Sequence, residues 1–527
     1  MSQKPWSLYL LVFVALCCCM AGCINDSKSK LDFGSTPVLS IQLGTADFEQ
    51  LVQLRDVALA AGVISDSEKI KFPCLINYNG KDIEAKIRFK GDWTDHLNGD
   101  KWSFRIELKG ATILGKKTFS IQNPATRGFG KEWLIHKLFE QNEVLTTDYR
   151  FLPVRLNGKQ LGLYAFEEHF EDELLEAQNR NVGVIFKYDE SLFWECRIME
   201  QQDILPGYFP LFEATEVVPF NKKRTVGKKK RLAQMRVGSA LMESYRASQV
   251  NIDEYLDVEA FARFFAILTL ANSCHGAVWH NQRMYVDPAK SRLEPIGFDI
   301  YSHAQASPDT NSVFGTIMTI NHRWPIVSAS RYYEQYLFSQ EAFRKSYFNH
   351  LNRISDSAYI SNFNRFITSA TDSVNQLFRV EYPEISVDTS LLKKNAAEII
   401  RSLQNFANWL EIEASDIRPD TTNYRPTMKD SVSMLIPIRA YKESSQTYTI
   451  ENASGRVIDA VGFRVKKSSH IQPLSPSILI GIDNWQRNRI SIDAAPKVKE
   501  FVYSIKGDSN LREIKVRPWP APKPFEQ

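Results

Sequence analysis

The sequence predicts an α+β chain. A strand-rich N-terminal part forms a twisted antiparallel sheet, a helical part follows it, and a small β-sandwich closes the chain. Three observations carry this prediction. Apolar and polar residues alternate from Val38 to about Asn123, with Gly91, Gly99 and Gly110 marking turns. From Asp257 onward apolar residues recur at helical spacing. After Pro419 the pattern returns to short alternating strands. These changes divide the chain into a body over 38–415, split into a strand-rich part (38–190) and a helical part (191–415), then a sandwich over 425–515 and a Pro-rich tail over 516–527.

The elements follow in chain order. Lys4 precedes an apolar run from Leu8 to Cys19, too short for a bilayer span of about 20 residues, so residues 1–22 read as an export signal. Ala21-Gly22-Cys23 resembles the bacterial lipobox, which makes Cys23 the lipidated first residue of the mature chain and residues 23–37 a tether. The expectation is a protein anchored in the bacterial cell envelope through its N-terminal lipid. Ile24, in place of Asp, points to the outer membrane, facing the periplasm or the cell surface. Of the seven cysteines only Cys74, Cys196 and Cys274 remain for the folded part, too few for a disulfide framework and with no CxxC pair for zinc.

In the strand-rich part, Val38–Leu43, Ile83–Phe89 and Trp102–Leu108 alternate as strands. Lys131–Gln141 places Leu134, Ile135, Leu138 and Phe139 on one helical face, and Asn157-Gly158 turns a hairpin between Leu152–Leu156 and Gln160–Phe166. Lys222–Arg231, the one strong charge run, reads as a solvated loop and carries no site claim. Val258–Ala271 is apolar on nearly all sides, with Asp257 placed to cap its first turn. Ser339–Ile354 and Leu391–Ala414 are core helices.

Charge excludes one partner class: a net +4 and a pI near 8.5 are too mild for nucleic acid, which calls for a clustered basic face. The sequence lacks GxxxxGK(S/T), GxGxxG, HExxH and GxSxG. Polar residues set into strands stand out instead: Arg88-Phe89-Lys90-Gly91, Lys101 to Arg105, and Glu167 and Glu168 after Tyr164. Alternation sends Lys101, Ser103 and Arg105 to one face, and two cations on a common face suit a polyphosphate. Between Leu270 and Ser302 an apolar helix leads into a polar loop with His280-Asn281, a strand containing Tyr285, and a second strand ending at Asp299. Both Asn281 and Asp299 can reach a divalent metal, and a carboxylate after Ile296-Gly297-Phe298 needs a cation if it is buried.

Taken in order over Ile83 to Phe348, these pieces resemble the spore-coat protein H (CotH) kinase-like family of secreted or surface-exposed atypical protein kinases. The matching pieces are Arg88 to Gly91, Lys101 to Ile106, Leu156-Asn157-Gly158 through Gly162, Tyr164 and Glu168, His280-Asn281 with Tyr285, and Phe298-Asp299. The resemblance implies an atypical protein-kinase-like body that moves the ATP γ-phosphate, with Mg2+ or Mn2+, to Ser or Thr hydroxyls of envelope or secreted proteins. It implies that Arg88, Lys101 and Arg105 hold phosphates, Glu168 orients a cation or the metal, and Asn281 and Asp299 ligate metal. Strand register leaves open whether Lys101, Lys90 or Arg88 touches the phosphates. Where the family commonly has an aspartate five positions before the asparagine, this chain has Gly276. His275 then stands as the proton acceptor or as a helix-terminal histidine, and the chain as a kinase, a nucleotide-binding pseudokinase or a non-catalytic envelope scaffold. A metal-dependent hydrolase built on His275, His280, Asp299 and His303 is the remaining alternative.

Overall fold

The computed structural model describes residues 31–191, 193–194, 197–198, 215–246, 251–273, 275–301, 333–416, 438–442, 444–452, 457–465, 470–480, 488–495, 497–505 and 509–517. The export signal, Cys23 and most of the tether lie outside the described residues, as do Cys196, Cys274, His303 and most of the Pro-rich tail.

The N-terminal part opens with β1 (Leu39–Gln42), α1 (Thr45–Ala61), β2 (Phe72–Tyr78), β3 (Lys81–Phe89), β4 (Phe104–Leu108) and β5 (Thr118–Gln122). Next come α2 (Gly130–Gln141), the short β6 (Leu145–Thr146), β7 (Tyr149–Leu156), β8 (Lys159–Glu168) and α3 (Asp172–Ala177). The expected twisted antiparallel sheet closes into a barrel in the order β1-β2-β3-β4-β5-β8-β7. Closure comes from a parallel pairing of β1 with β7, Leu39 opposite Val154 and Ile41 opposite Leu156, more than a hundred residues apart. Nothing local encodes that pairing. The hairpin at Asn157-Gly158 forms as expected, both residues adopting positive φ (46° and 84°), the geometry a two-residue I′ turn requires. Asn157 Oδ1 also accepts from Leu43 N at 2.8 Å, tying the hairpin to the end of β1. Alternate residues, among them Ile87, Phe89, Phe104, Ile106, Ile121 and Phe166, fill the barrel interior, and Cys74 is buried with them.

A second sheet, in the order β10-β9-β11-β12-β6, uses β9 (Val184–Tyr188), β10 (Val217–Pro219), β11 (Arg283–Asp287) and β12 (Arg292–Gly297). The basic run expected as a loop is helical, spanning α4 (Lys222–Gly227) and the start of α5 (Lys229–Arg246). Arg224 and Arg231 in it are held by Asp172 at 2.7 and 2.6 Å. Asp172 lies 50 residues upstream, so the ion pairs are invisible to a local charge pattern.

The helical part centres on α6 (Val258–Ala271), whose Asp257 accepts from Ala260 N at 3.1 Å as the expected cap. Around it lie α7 (Tyr333–Ser339), α8 (Glu341–Ser355), α9 (Ser357–Glu381) and α10 (Ser390–Asp416). The expected helix at Ser339–Ile354 thus begins at Glu341, separated from α7 by Gln340. The 25-residue α9 is an addition to the expected elements. Its start is fixed by Asp356, which accepts from the amides of Ala358 and Tyr359. One continuous core joins α2, the second sheet and these helices, and includes Trp133, Phe139, Phe186, Phe265, Phe343 and Phe378.

The C-terminal strands are β13 (Ile438–Lys442), β14 (Thr447–Asn452), β15 (Ile458–Arg464), β16 (Gln472–Ile480), β17 (Asn488–Asp493), β18 (Glu500–Ile505) and β19 (Arg512–Arg517). The sequence predicts two sheets here. The pairing is one continuous seven-stranded order, β16-β15-β18-β19-β13-β14-β17, because β13 pairs in parallel with β19. Ala440, Tyr448, Ile450, Ile458 and Phe501 are buried in its own core, while Tyr441 joins the core of the body.

Candidate active site

The barrel presents a polar row to the rest of the body. Arg88 on β3 stands directly opposite Arg105 on β4, Arg105 opposite Ser120 on β5, and Ser120 opposite Glu167 on β8. Side chains in such a row share a face of the sheet, here the face away from the apolar interior. Arg105 Nε donates to Ser120 Oγ at 2.7 Å, and the guanidinium also bonds His169 Nδ1. Neither Arg88 nor Arg105 has a carboxylate within 4.0 Å among the described residues. Like charges directly opposite on adjacent strands repel, and burial together with Arg88 pulls the Arg105 guanidinium down to about 10.

Lys90, one residue beyond β3 and of the same parity as Arg88, is buried. Its Nζ lies 2.9 Å from Glu167 Oε2 and donates to Gln122 Oε1 at 2.5 Å. Gly91 behind it has φ +94°, and a Cβ there would stand 2.0 Å from the ring of His96, so only glycine lets the chain turn under that ring.

The opposing wall comes from the segment after α6. Here β12 pairs in parallel with β6 (Ile296 with Leu145), and two residues past its end Asp299 adopts φ +53°. Buried Glu132 on α2 fixes that conformation by accepting from Ile300 N at 2.9 Å and Tyr301 N at 2.7 Å. The Asp299 carboxylate is ion-paired through Oδ1 with Arg127, which lies just ahead of α2. Burial alone would raise the Asp299 pKa, but Arg127, His275 and Lys90 hold it well below the usual carboxylate range. His275 Nδ1 lies 2.7 Å from Asp299 O. A carbonyl oxygen accepts only, so Nδ1 carries the hydrogen. Asn281 Nδ2 donates to His275 O at 3.0 Å, which assigns its amide orientation. Asn281 Oδ1 and Asp299 Oδ2 then carry no hydrogen bond among the described residues, and both are hard oxygen donors of the kind Mg2+ or Mn2+ takes.

Together the two walls enclose a cleft of about 1390 Å³ lined by Arg88, Lys90, Arg105, Arg127, His275, Asn281 and Asp299, with Trp93, Phe193 and Trp194 also on its wall. Of the residues named from sequence, Arg88, Lys90, Arg105, His275, His280, Asn281 and Asp299 all line it. Lys101 and Glu168 do not line it. Strand β4 begins only at Phe104, so the assumed alternation from Lys101 to Arg105 does not apply. Lys101 instead pairs with Glu381 at the end of α9 at 2.7 Å and donates to Leu163 O and Tyr382 Oη, each at 2.8 Å. Glu168 lies outside the Arg88–Glu167 row, ion-paired with Lys116 and accepting from Asp148 N at 3.0 Å. Lys90 lines the cleft, and Glu167, paired with it, stands behind it. The signal for them is pleat parity with Arg88 and Arg105, readable once the register is known. Arg127 and Glu132 had no local signal, since their partners lie about 170 residues away.

His280 is buried, stacked on Phe193 at 4.8 Å, and burial lowers its pKa to about 3, so it braces the loop in neutral form. Gly276 has no room for a side chain: a Cβ would stand 2.3 Å from Ile300 Cδ1 and 2.9 Å from Phe298 O. Among the described residues no three His, Cys, Asp or Glu side chains gather to hold a metal, and His303 of the hydrolase alternative lies outside them.

The class of protein is set by a mixed α/β body in which a barrel faces the rest of the body across a cleft, with a buried Lys–Glu pair on one wall and an Asn–Asp pair on the other. The family described as CotH kinase protein matches residues 87–411, more than half of the 527-residue chain. The chain belongs to that family. A search of curated proteins returned no match.

Proposed function

We propose that this protein is a lipid-anchored atypical protein kinase of the bacterial envelope, tethered through Cys23 at the outer membrane, that transfers the ATP γ-phosphate to Ser or Thr of envelope or secreted proteins. The observation that carries this reading is the Arg88–Arg105 pair, two cations placed directly opposite each other on the cleft wall with no carboxylate within 4.0 Å of either among the described residues. Such a pair costs stability unless an anion is bound. Arg88, Lys90 and Arg105 bind the phosphates, and Glu167 holds Lys90 in place. Asn281 Oδ1 and Asp299 Oδ2 are the atoms that would hold the divalent cation, Arg127 orienting the carboxylate and Glu132 the backbone behind it. Mg-ATP supplies the phosphoryl group and the charge neutralisation that its transfer needs.

The test is a thermal shift of the purified chain with ATP and Mg2+ or Mn2+, read together with transfer of labelled phosphate. A ligand at about 100 times its dissociation constant adds about 2.7 kcal/mol. Stabilisation with transfer supports the kinase, and the absence of both sinks it. Arg88→Gln provides an internal control: relief of the like-charge pair is expected to stabilise the free chain by up to ~1 kcal/mol while reducing the ATP-induced shift. A variant that lowers stability without ATP and leaves the shift unchanged counts against phosphate binding there.

The closed space at Gly276 favours a second reading, a nucleotide-binding pseudokinase or scaffold, because no carboxylate can stand at that position. Stabilisation without any turnover is its signature.

A further inference from the structure

If the cleft transfers a phosphoryl group, as proposed above, the acceptor hydroxyl must lose a proton, and neither position expected to take it is well placed. Gly276 is sterically closed. His275 commits its Nδ1 hydrogen to Asp299 O, and its basic Nε2 lies 3.2 Å from the amide nitrogen of Asn281.

The carboxylates of the cleft can be sorted by their partners. Asp66 and Asp92 have Lys69 at 3.7 and 2.5 Å, Glu190 has Lys187 at 2.8 Å, and Asp299 has Arg127. Two lining carboxylates have no cation within 4.0 Å among the described residues: Asp189 and Asp95. Asp189 already accepts from Ser191 N at 2.9 Å. Asp95 takes a backbone hydrogen bond from His96 in its own turn, has no hydrogen bond to another side chain among the described residues, and is exposed to the cleft.

Asp95 also lies beside the metal-side machinery. Burial tends to lower the Arg127 pKa, but Asp299 and then Asp95 hold its charge, so one guanidinium lies within the field of both carboxylates. Burial among its neighbours raises the Asp95 pKa more than Arg127 lowers it, the direction that makes a carboxylate a better proton acceptor.

The turn that carries Asp95 is rigid. It is the short helix Thr94–Leu97, in the connection between the strands bearing Arg88 and Arg105. His96 is buried, its Nδ1 hydrogen-bonds Ser103 Oγ at 2.9 Å, and Ser103 N donates to His96 O at 2.8 Å. Arg55 Nε donates to Leu97 O at 3.1 Å from α1. A base must be held in place before its pKa matters.

The geometry points to Asp95, on the barrel wall, as the catalytic base that takes the proton of the acceptor hydroxyl. In the step, the hydroxyl oxygen forms a bond to the γ-phosphorus. The bond from that phosphorus to the β–γ bridging oxygen breaks, its electron pair leaving with ADP, and the hydroxyl proton passes to the Asp95 carboxylate and then to water. Asn281 and Asp299 keep their roles opposite.

The experiment compares the full chain with its Asp95→Ala and Asp95→Asn variants. Labelled ATP with Mg2+ is the donor, and label reaching the chain itself or water is counted alongside the ATP-induced thermal shift. The expected result is a fall in turnover of about 10² to 10⁴ fold with the thermal shift unchanged, and partial recovery of Asp95→Ala by added formate, which replaces the missing carboxylate. Turnover at the wild-type rate in both variants overturns the role of Asp95 and leaves the kinase reading standing. Loss of the thermal shift, or loss of turnover that formate does not restore, assigns Asp95 to positioning and also overturns the proposal. A wild-type chain that binds ATP without any turnover removes both this role and the transfer reading.

Discussion

Replacing Lys101 by Met separates a phosphate ligand from an interlobe tie. Lys101 is 6% exposed and Glu381 9% exposed at their side chains, 2.7 Å apart and 280 residues apart in the chain. Met keeps most of the volume and removes the charge, leaving Glu381 buried with no cation. Breaking a buried pair in this way costs about 3–5 kcal/mol. Lys101 Nζ also lies 5.0 Å from the ring centroid of Tyr382, a contact worth about 0.5–1 kcal/mol or more when desolvated. The expected loss is therefore about 4 kcal/mol, measured by equilibrium urea unfolding of the body. A Lys101→Met/Glu381→Gln double variant is expected to lose less than the sum of the singles, with a coupling of about 0.5–3 kcal/mol. The ATP-induced thermal shift of the single variant should survive at temperatures below its own transition. A Lys101→Met chain within ~0.5 kcal/mol of wild type that no longer responds to ATP would refute this reasoning and return Lys101 to the phosphates.

Two further outcomes follow from packing and charge. Gly276→Asp should not create an active aspartate: the overlap with Ile300 and the Phe298 carbonyl is expected to cost about 1–3 kcal/mol, and Ile300→Ala in the same chain should not recover it, because the clash with the backbone oxygen remains; full recovery in a urea titration would show that the loop relaxes. His280 has a folded pKa of about 3 against 6.5 unfolded, with burial the main cause, so between those values the unfolded chain binds the extra proton and stability falls as pH drops from 6.5 toward 3. His280→Phe should flatten that slope in unfolding measurements at pH 7 and pH 5, and an identical slope would mean that the ring is protonated when folded.

Much of the site was legible because it depends on short-range features. The loop after α6 and the strand ending at Asp299 come from an apolar helix followed by alternation, and Asn281 and Asp299 follow from residue type at the ends of those elements. The turn at Gly91 and the hairpin at Asn157-Gly158 are likewise local, since backbone sterics restrict positive φ to few residues. Lys101 and Glu168 lie outside the cleft while Lys90 lines it, and these differences are of one kind. Both turn on where a strand begins and which face a residue takes, and a shift by one position reverses the face.

The sequence by itself determined the order of strand-rich, helical and strand-rich parts, the family, and several residues of the cleft, because periodicity, turn chemistry and motif order are written in neighbouring residues. Only the tertiary structure decided that the N-terminal sheet closes through β1 and β7. It also decided that Arg127 and Glu132 clamp the Asp299 turn from across the chain, and that Gly276 is walled in by Ile300. Each of these is a contact between segments far apart in sequence, fixed by which buried charges and carbonyls find partners once the core has packed.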